Sequence, residues 1–474
     1  MSGQKRKAIK LAIVGSAVAV AAWLSAIEPF ILPTDLPVGM PDTAPQRCVG
    51  IFIVCLAFWF TNLIPLAATG LLAIGLLPLL NVLPKGEAFA LFGNSAVFFM
   101  LGVFLLAGAL IATGLSKRIT LLALQRFDRS PQRLVTGVVV SAAFLSLWMP
   151  AHGVAAMIYP IVYEIVDALK LKRGHPYAKK LFLGLAWGAI IGSCGTILGG
   201  ARAPLALSLL QEAYPDRSIS FLGWMLASMP VVIIMTLVAV AVLKRWIPDD
   251  LTDIKPATTM LDERVKLLGA MSPRERRLTA LSLATIAAWV LLGDVIGLAV
   301  IAILSAVTLF LVRVVDWKSV QDYVNWGVLI MYGGAVALGK ALTETKAMEW
   351  LAGRVIDPDT PKLVLLMVIA VSTILLTEGI SNAAAVAILL PIAYSLGEMT
   401  GIGPIMMTLV VTVPAGLAFL LPVSSPPNAI SFSAGHYSVR EVVQAGGFMN
   451  VMAVITLFVV IVFWWDMTLN ISAW

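Results

Sequence analysis

Long runs without a formal charge constrain this chain more than any other feature. Residues 48–84 contain no Asp, Glu, Lys or Arg, and neither do residues 134–163. Residues 181–210 carry one charge, Arg202. A helix crosses a bilayer with about 20 apolar residues, so each run is long enough to cross or to dip into one. A soluble domain has too little interior for them, because 60% of the 474 residues are hydrophobic and 12% are charged. The chain therefore reads as an all-α polytopic membrane protein.

Charge and cysteine usage remove other classes. The net charge of +7 does not point to nucleic acid, since Lys and Arg gather between the apolar runs, as cytoplasmic loops require. Cys48, Cys55 and Cys194 sit in or beside apolar segments and form neither a disulfide framework nor a metal-ligand spacing. The histidines lie far from the cysteines and from one another, which argues against a metalloenzyme. The sequence contains no complete phosphate loop, no paired catalytic carboxylates and no nucleophile triad at a supporting spacing. No enzyme and no organic cofactor are expected.

Charged flanks divide the chain. The basic start MSGQKRKAIK and the apolar run after it fit a signal peptide. More membrane follows, so an uncleaved first span over 11–32 is expected, with a cytoplasmic N-terminus. Two spans fit into 48–84 and a fourth into 95–115. Residues 134–163 break at Pro150 and Gly153, with Arg126, Arg129 and Arg133 on one flank and Lys170, Lys172 and Arg173 on the other. Both flanks belong inside, which predicts a re-entrant hairpin over 131–169. The alternative, two short ordinary spans, leaves one basic flank outside. A broken helix over 181–212 and a span over 221–243 follow. The polar residues 244–277 read as a cytoplasmic linker. Further spans are expected over 278–293, 295–313 and 320–343, then a second hairpin over 361–397, a broken helix over 402–434 and a last span over 445–468. That makes about eleven segments with two hairpins, and puts the C-terminus outside.

The chain repeats itself. FLLAGALIATGLSKRI matches YGGAVALGKALTETKAMEW through Ala109 and Ala341; WMPAHGVAAMIYP matches GISNAAAVAILLP through Pro160 and Pro391; GTILGGARA matches LLPVSSPPN through Gly199 and Ser424. The offsets are 232, 231 and 225 positions. An odd number of crossings separates the hairpins, so the second copy is inverted. Residues 95–243 form one copy and 278–474 the other, after N-terminal helices over 1–94. Inverted repeats with discontinuous helices are the architecture of secondary transporters, whose site lies where the breaks meet. Broken helix ends attract anions, and freed oxygens hold small cations.

The stretches TEGISNAAAVAILLP, LLPVSSPPNAISFSAGH and WGVLIMYGGAVALGKAL resemble the divalent anion/sodium symporter family, over nearly the whole chain. The resemblance implies transport of di- or tricarboxylates or sulfate. It also implies eleven spans with two re-entrant hairpins, and a homodimer built on a scaffold, with elevator-type movement of a transport domain. In that family each hairpin tip carries Ser-Asn-Thr, and the tips and broken helices together hold the anion and sodium. Here the second tip reads Ser381-Asn382-Ala383 and the second break reads Ser424-Ser425-Pro426-Pro427-Asn428. The first tip instead reads Pro150-Ala151-His152, and the first break keeps Thr196 but continues Gly199-Gly200-Ala201-Arg202.

The expected anion contacts are therefore His152, Arg202, Ser381, Asn382, Ala383 and Pro427, and the expected sodium ligands are Ser381, Asn382, Ser424, Ser425, Asn428 and Thr196. One sodium ion, in the second half, is expected, because the first half has lost its oxygen ligands. Arg202 has two functional readings, a bidentate clamp on the anion or a fixed cation in place of a sodium ion. Snorkelling and helix capping are the structural alternatives. His152 reads either as an anion donor and proton carrier, or as a partner for backbone groups at the break. Glu378 reads either as a proton carrier or cation ligand or as a structural group at the second hairpin, and the structural role is the expected one. Sodium-coupled transport of a small dianion, C4-dicarboxylate first, is the expected function, with proton coupling, exchange of another anion or an anion channel as alternatives. The bacterial inner membrane is the expected location, with no nucleic-acid partner.

Overall fold

The computed structural model describes residues 3–26, 36, 40–247, 251–347 and 360–466. Parts of the expected first external loop, the end of the first span and the last residues of the eleventh segment lie outside the described residues. Every regular element described is helical. Among the described residues, eight helices are long and apolar enough to cross a membrane, and shorter apolar helices accompany them.

The N-terminal helices are α1 (Gly3–Ala26), α2 (Ala44–Thr61), α3 (Leu66–Leu79) and the short α4 (Lys85–Ala90). The first half continues with α5 (Ser95–Ala112), α6 (Leu115–Arg126), α7 (Pro131–Ser146), α8 (Ala151–Ala168), α9 (Pro176–Gly192), α10 (Arg202–Ala213) and α11 (Phe221–Trp246). After α12 (Lys255–Leu268), the second half runs through α13 (Pro273–Ile296), α14 (Leu298–Leu311), α15 (Trp317–Val320) and α16 (Trp326–Glu344). It ends with α17 (Lys362–Thr377), α18 (Asn382–Thr400), α19 (Pro404–Thr412), α20 (Pro426–Ser433) and α21 (Val439–Val460).

Local chemistry explains most boundaries. Asn94 caps α5 through Ala96 N–H at 2.9 Å, and Ser220 caps α11 through Gly223 N–H at 3.0 Å. Ser272 with Glu275, and Ser438 with Glu441, form capping boxes at α13 and α21. These two boxes start the helices earlier than apolar pattern alone suggests. The last span opens at Val439 rather than residue 445, because its first turn is polar. The α13–α14 break falls at Gly297, whose φ of 91° suits glycine, rather than at Asp294.

The halves interlock. The helix α3 packs along α16, and α14 packs along α5, so each half lends its long helix to the other. Small residues permit both crossings. A Cβ on Gly334 would stand 2.3 Å from Gly70 O, and one on Gly102 would stand 2.7 Å from the Ala302 carbonyl carbon. In a bilayer such close backbone approach replaces the hydrophobic drive of water. Within the first half, Gly188 and Gly192 of α9 do the same against Val139 and Ala143 of α7.

The expected linker is partly structured. Its amphipathic helix α12 lies against α6 and α8. Arg118 of α6 grips the turn that follows it, with Nε 2.6 Å from Glu275 Oε1 and further bonds at 2.9 Å to Leu268 O and Gly269 O.

Candidate anion and cation site

Both expected breaks are present. In the first helical pair, residues 147–150 separate α7 from α8, and in the second, residues 378–381 separate α17 from α18. Ser381 caps α18 by accepting Ala384 N–H at 3.2 Å. Pro150 occupies the corresponding position of α8 and offers no side-chain cap. The first-turn N–H groups of α8 thus remain without a side-chain acceptor, which favours a negative partner. The irregular segments 193–201 and 417–425 interrupt the two broken helices, each with a single 3-10 turn inside or beside it.

The four breaks converge on one cavity of about 170 Å3. His152, Arg202, Ser381, Asn382, Ala383 and Pro427, the expected anion contacts, all line it. So do Ser424 and Ser425 of the cation set. Thr196 and Asn428 do not. Thr196 Oγ1 donates to Leu147 O and accepts Leu198 N–H, which binds the first break to the first tip. Asn428 Nδ2 donates to Ala418 O at 3.1 Å and to Ser424 Oγ at 3.0 Å, bracing the second break from behind.

A second cavity of about 540 Å3 adjoins the first and shares Phe104, Pro150, His152 and Asn325 with it. Asp322, Tyr323 and Trp326 also line it. His152 therefore stands between a vestibule and the inner chamber. Asn325 was not among the sequence candidates. Its signal was its place as the residue before α16, where its side chain accepts Val328 N–H at 3.2 Å.

Arg202 is the unusual charge. It is 4% exposed and forms no ion pair among the described residues. Its Nη2 donates to Ser193 Oγ at 3.2 Å, while its Nε is buried without a partner. The guanidinium lies over Gly416, where a Cβ would stand 2.4 Å from Cζ. It therefore reaches from the first broken helix onto the second. An unpaired buried cation costs several kcal/mol, which an anion in the chamber offsets.

The second half suits a small hard cation. Ser425 Oγ is buried, unpartnered and part of the chamber wall. Ser381 and Ser424 add hydroxyl oxygens, and Asn382 an amide. The first half does not suit one. Thr196 lies off the chamber and bonds Leu147 O and Leu198 N–H, residues 199–201 bring no side-chain oxygen, and a guanidinium adjoins them.

Comparison with known proteins identifies the family. The family profile described as the sodium:sulfate symporter transmembrane region matches residues 16–471. The sodium-dependent dicarboxylate transporter SdcS of Staphylococcus saprophyticus is 28% identical over 472 residues, covering 92% of this chain and 90% of that one. SdcS of Staphylococcus aureus is 27% identical over 467 residues, covering 91% and 89%. Among solved structures, Neisseria gonorrhoeae MtrF, described as one of a class of antimetabolite efflux pumps, superposes with a TM-score of 0.59 at 13% identity, covering 94% of this chain and 97% of that one. The Alcanivorax borkumensis YdaH transporter superposes at 0.54 with 14% identity, covering 98% and 99%. Those two likenesses concern the fold alone. This chain is a multi-pass membrane protein that belongs to the sodium:sulfate symporter transmembrane family.

Proposed function

We propose that this protein is a sodium-coupled secondary transporter of a small dianion, with C4-dicarboxylates as the first class. The buried arginine without an acidic partner, facing a chamber ringed by broken helices, carries the proposal. The substrate class follows the relatives, which are named as dicarboxylate transporters. The chamber is smaller than the roughly 300–1,000 Å3 typical of drug-sized ligands, which suits such an anion.

In this reading Arg202 clamps one carboxylate in bidentate fashion. Ser381, Asn382 and the backbone of Ala383 hold the other at the N-terminus of α18, with Pro427 closing the wall. His152 flanks the substrate at the vestibule. One sodium ion sits in the second half among Ser381, Asn382, Ser424 and Ser425, with Asn428 shaping the site. Residues 1–94 belong to a static scaffold, together with α13 and α14. The hairpins 131–169 and 361–397 and the broken helices 181–212 and 402–434 move as a transport unit, with 244–277 joining the halves. Two copies pair through the scaffold in a bacterial inner membrane, with the N-terminus cytoplasmic and the C-terminus periplasmic. The vestibule then opens to the cytoplasm, the side from which the first hairpin enters.

Anion exchange is the second reading. Arg202 favours it, because a fixed positive charge in the first half does without an ion there. Thermal unfolding of the purified protein separates the two. Sodium-dependent stabilisation by succinate that Arg202→Gln abolishes supports symport. Equal stabilisation in sodium and potassium supports exchange. No stabilisation by succinate but a shift with sulfate changes the substrate class.

A further inference from the structure

Side chains brace the peptide groups of both breaks, but among the described residues a carboxylate does so in the second half alone. In the first, donors grip carbonyls: Trp224 Nε1 reaches Cys194 O at 3.2 Å, and Ser228 Oγ reaches Gly195 O at 3.0 Å. In the second, an acceptor grips N–H groups. Glu378 Oε1 accepts from Phe419 N at 2.9 Å, Leu420 N at 2.9 Å and Asn450 Nδ2 at 2.8 Å, and Oε2 accepts from Leu421 N at 3.0 Å. These three successive N–H groups are the ones a continued helix would spend on carbonyls one turn back. Asn450 Oδ1 also accepts from Phe419 N at 3.3 Å, so α21 supports the same turn.

Glu378 is 4% exposed, does not line the chamber, and forms no ion pair among the described residues. Its backbone belongs to the second hairpin tip, three residues before Ser381. Its partners belong to the segment that ends at Ser424 and Ser425. One side chain thus joins the two pieces that carry the candidate cation ligands. The repeat sets Leu147 opposite it, so the first half, which does not suit a cation, also lacks this carboxylate.

We propose that Glu378 is the positioning residue of the cation site. Its carboxylate holds residues 419–421 unwound so that Ser424 and Ser425 face the ion, and it supplies the negative charge that the ion meets behind the oxygen shell. This rests on the sodium coupling proposed above. Glu378→Gln keeps the size, removes the charge, and leaves an NH2 where one acceptor served. The sodium concentration for half-maximal succinate uptake into proteoliposomes should rise about tenfold or more, the loss expected of one charge-assisted contact. The succinate KM at saturating sodium should stay within about threefold. Asn450→Ala, which keeps the charge, should shift the sodium dependence the same way but less. Hydrogen exchange at amides 419–421 should accelerate in Glu378→Gln.

A variant that loses thermal stability and rate while its sodium dependence stays at the wild-type value would overturn the proposal, as would unchanged exchange at 419–421. If wild-type uptake ignores sodium, the coupling fails instead, and the exchange result alone then supports or overturns the positioning role.

Discussion

Replacing Arg202 by glutamine should weaken the substrate and spare the empty protein. Arg202 is buried, has no acidic partner among the described residues, and has an Nε with nothing to donate to. Breaking its bond to Ser193 loses little, and removing a buried unpaired charge relieves a penalty of several kcal/mol. The empty variant should therefore melt no lower than wild type. With substrate bound the balance reverses. Two charge-assisted hydrogen bonds to a carboxylate are worth at least about 3 kcal/mol, which is on the order of 100-fold in affinity. Succinate titrations of uptake at saturating sodium read the loss, and unfolding scans without substrate read the stability. Arg202→Lys should fall between, since it keeps the charge and loses the planar fork. A KM within about threefold of wild type, together with a lowered melting temperature, would show that Arg202 is a structural capping group and would refute this reasoning.

Three further outcomes follow from single contacts. Gly416→Ala puts a Cβ 2.4 Å from Arg202 Cζ, so the guanidinium must move; succinate KM should rise about tenfold although the charge remains, an overpacking cost of about 1–3 kcal/mol. Gly334→Ala meets the Gly70 carbonyl at 2.3 Å, where only backbone can yield, and should lower the melting temperature by an amount reflecting at least about 1–3 kcal/mol; Gly75→Ala, with open space around it, should not. His436 lies in the loop between α20 and α21, where burial, then the charge of Arg173, then His175 push its pKa below the ordinary range. The folded protein takes up that proton less readily than the unfolded chain, so this group adds stability above about pH 6.5 and loses it as pH falls below that value. Melting temperatures of wild type and His436→Gln, compared at pH 7.5 and pH 5.5, should converge at the higher pH and diverge at the lower, with wild type losing more.

Much of the site was legible because it violates local rules. Pro150 and the polar run before Asn382 stand inside apolar stretches, and Arg202 is the lone charge of its segment. Of these, Pro150, Ser381, Asn382 and Arg202 meet at the chamber. What was not legible depends on partners without a side-chain signature. The amides of 419–421 that bind Glu378 belong to apolar residues, so the acid read as structural at the hairpin while its partners stayed hidden. Thr196 looked like an ion ligand because its type suits one, yet its hydroxyl donates to Leu147 O and does not line the chamber. The helix α12 hid in a polar stretch because its apolar side is narrow and rests on α6 and α8. The crossing of α3 with α16 rests on Gly70 and Gly334, and two glycines in apolar helices do not announce each other across the chain.

The central claim is that these breaks form one site where a dianion and a sodium ion are carried together. Uptake of radiolabelled succinate into proteoliposomes tests it most directly, under an inward sodium gradient against an equimolar potassium control. Accumulation above equilibrium is expected with sodium only, and is lost in Asn382→Ala. Equal uptake under both gradients, unchanged in Asn382→Ala, would contradict it.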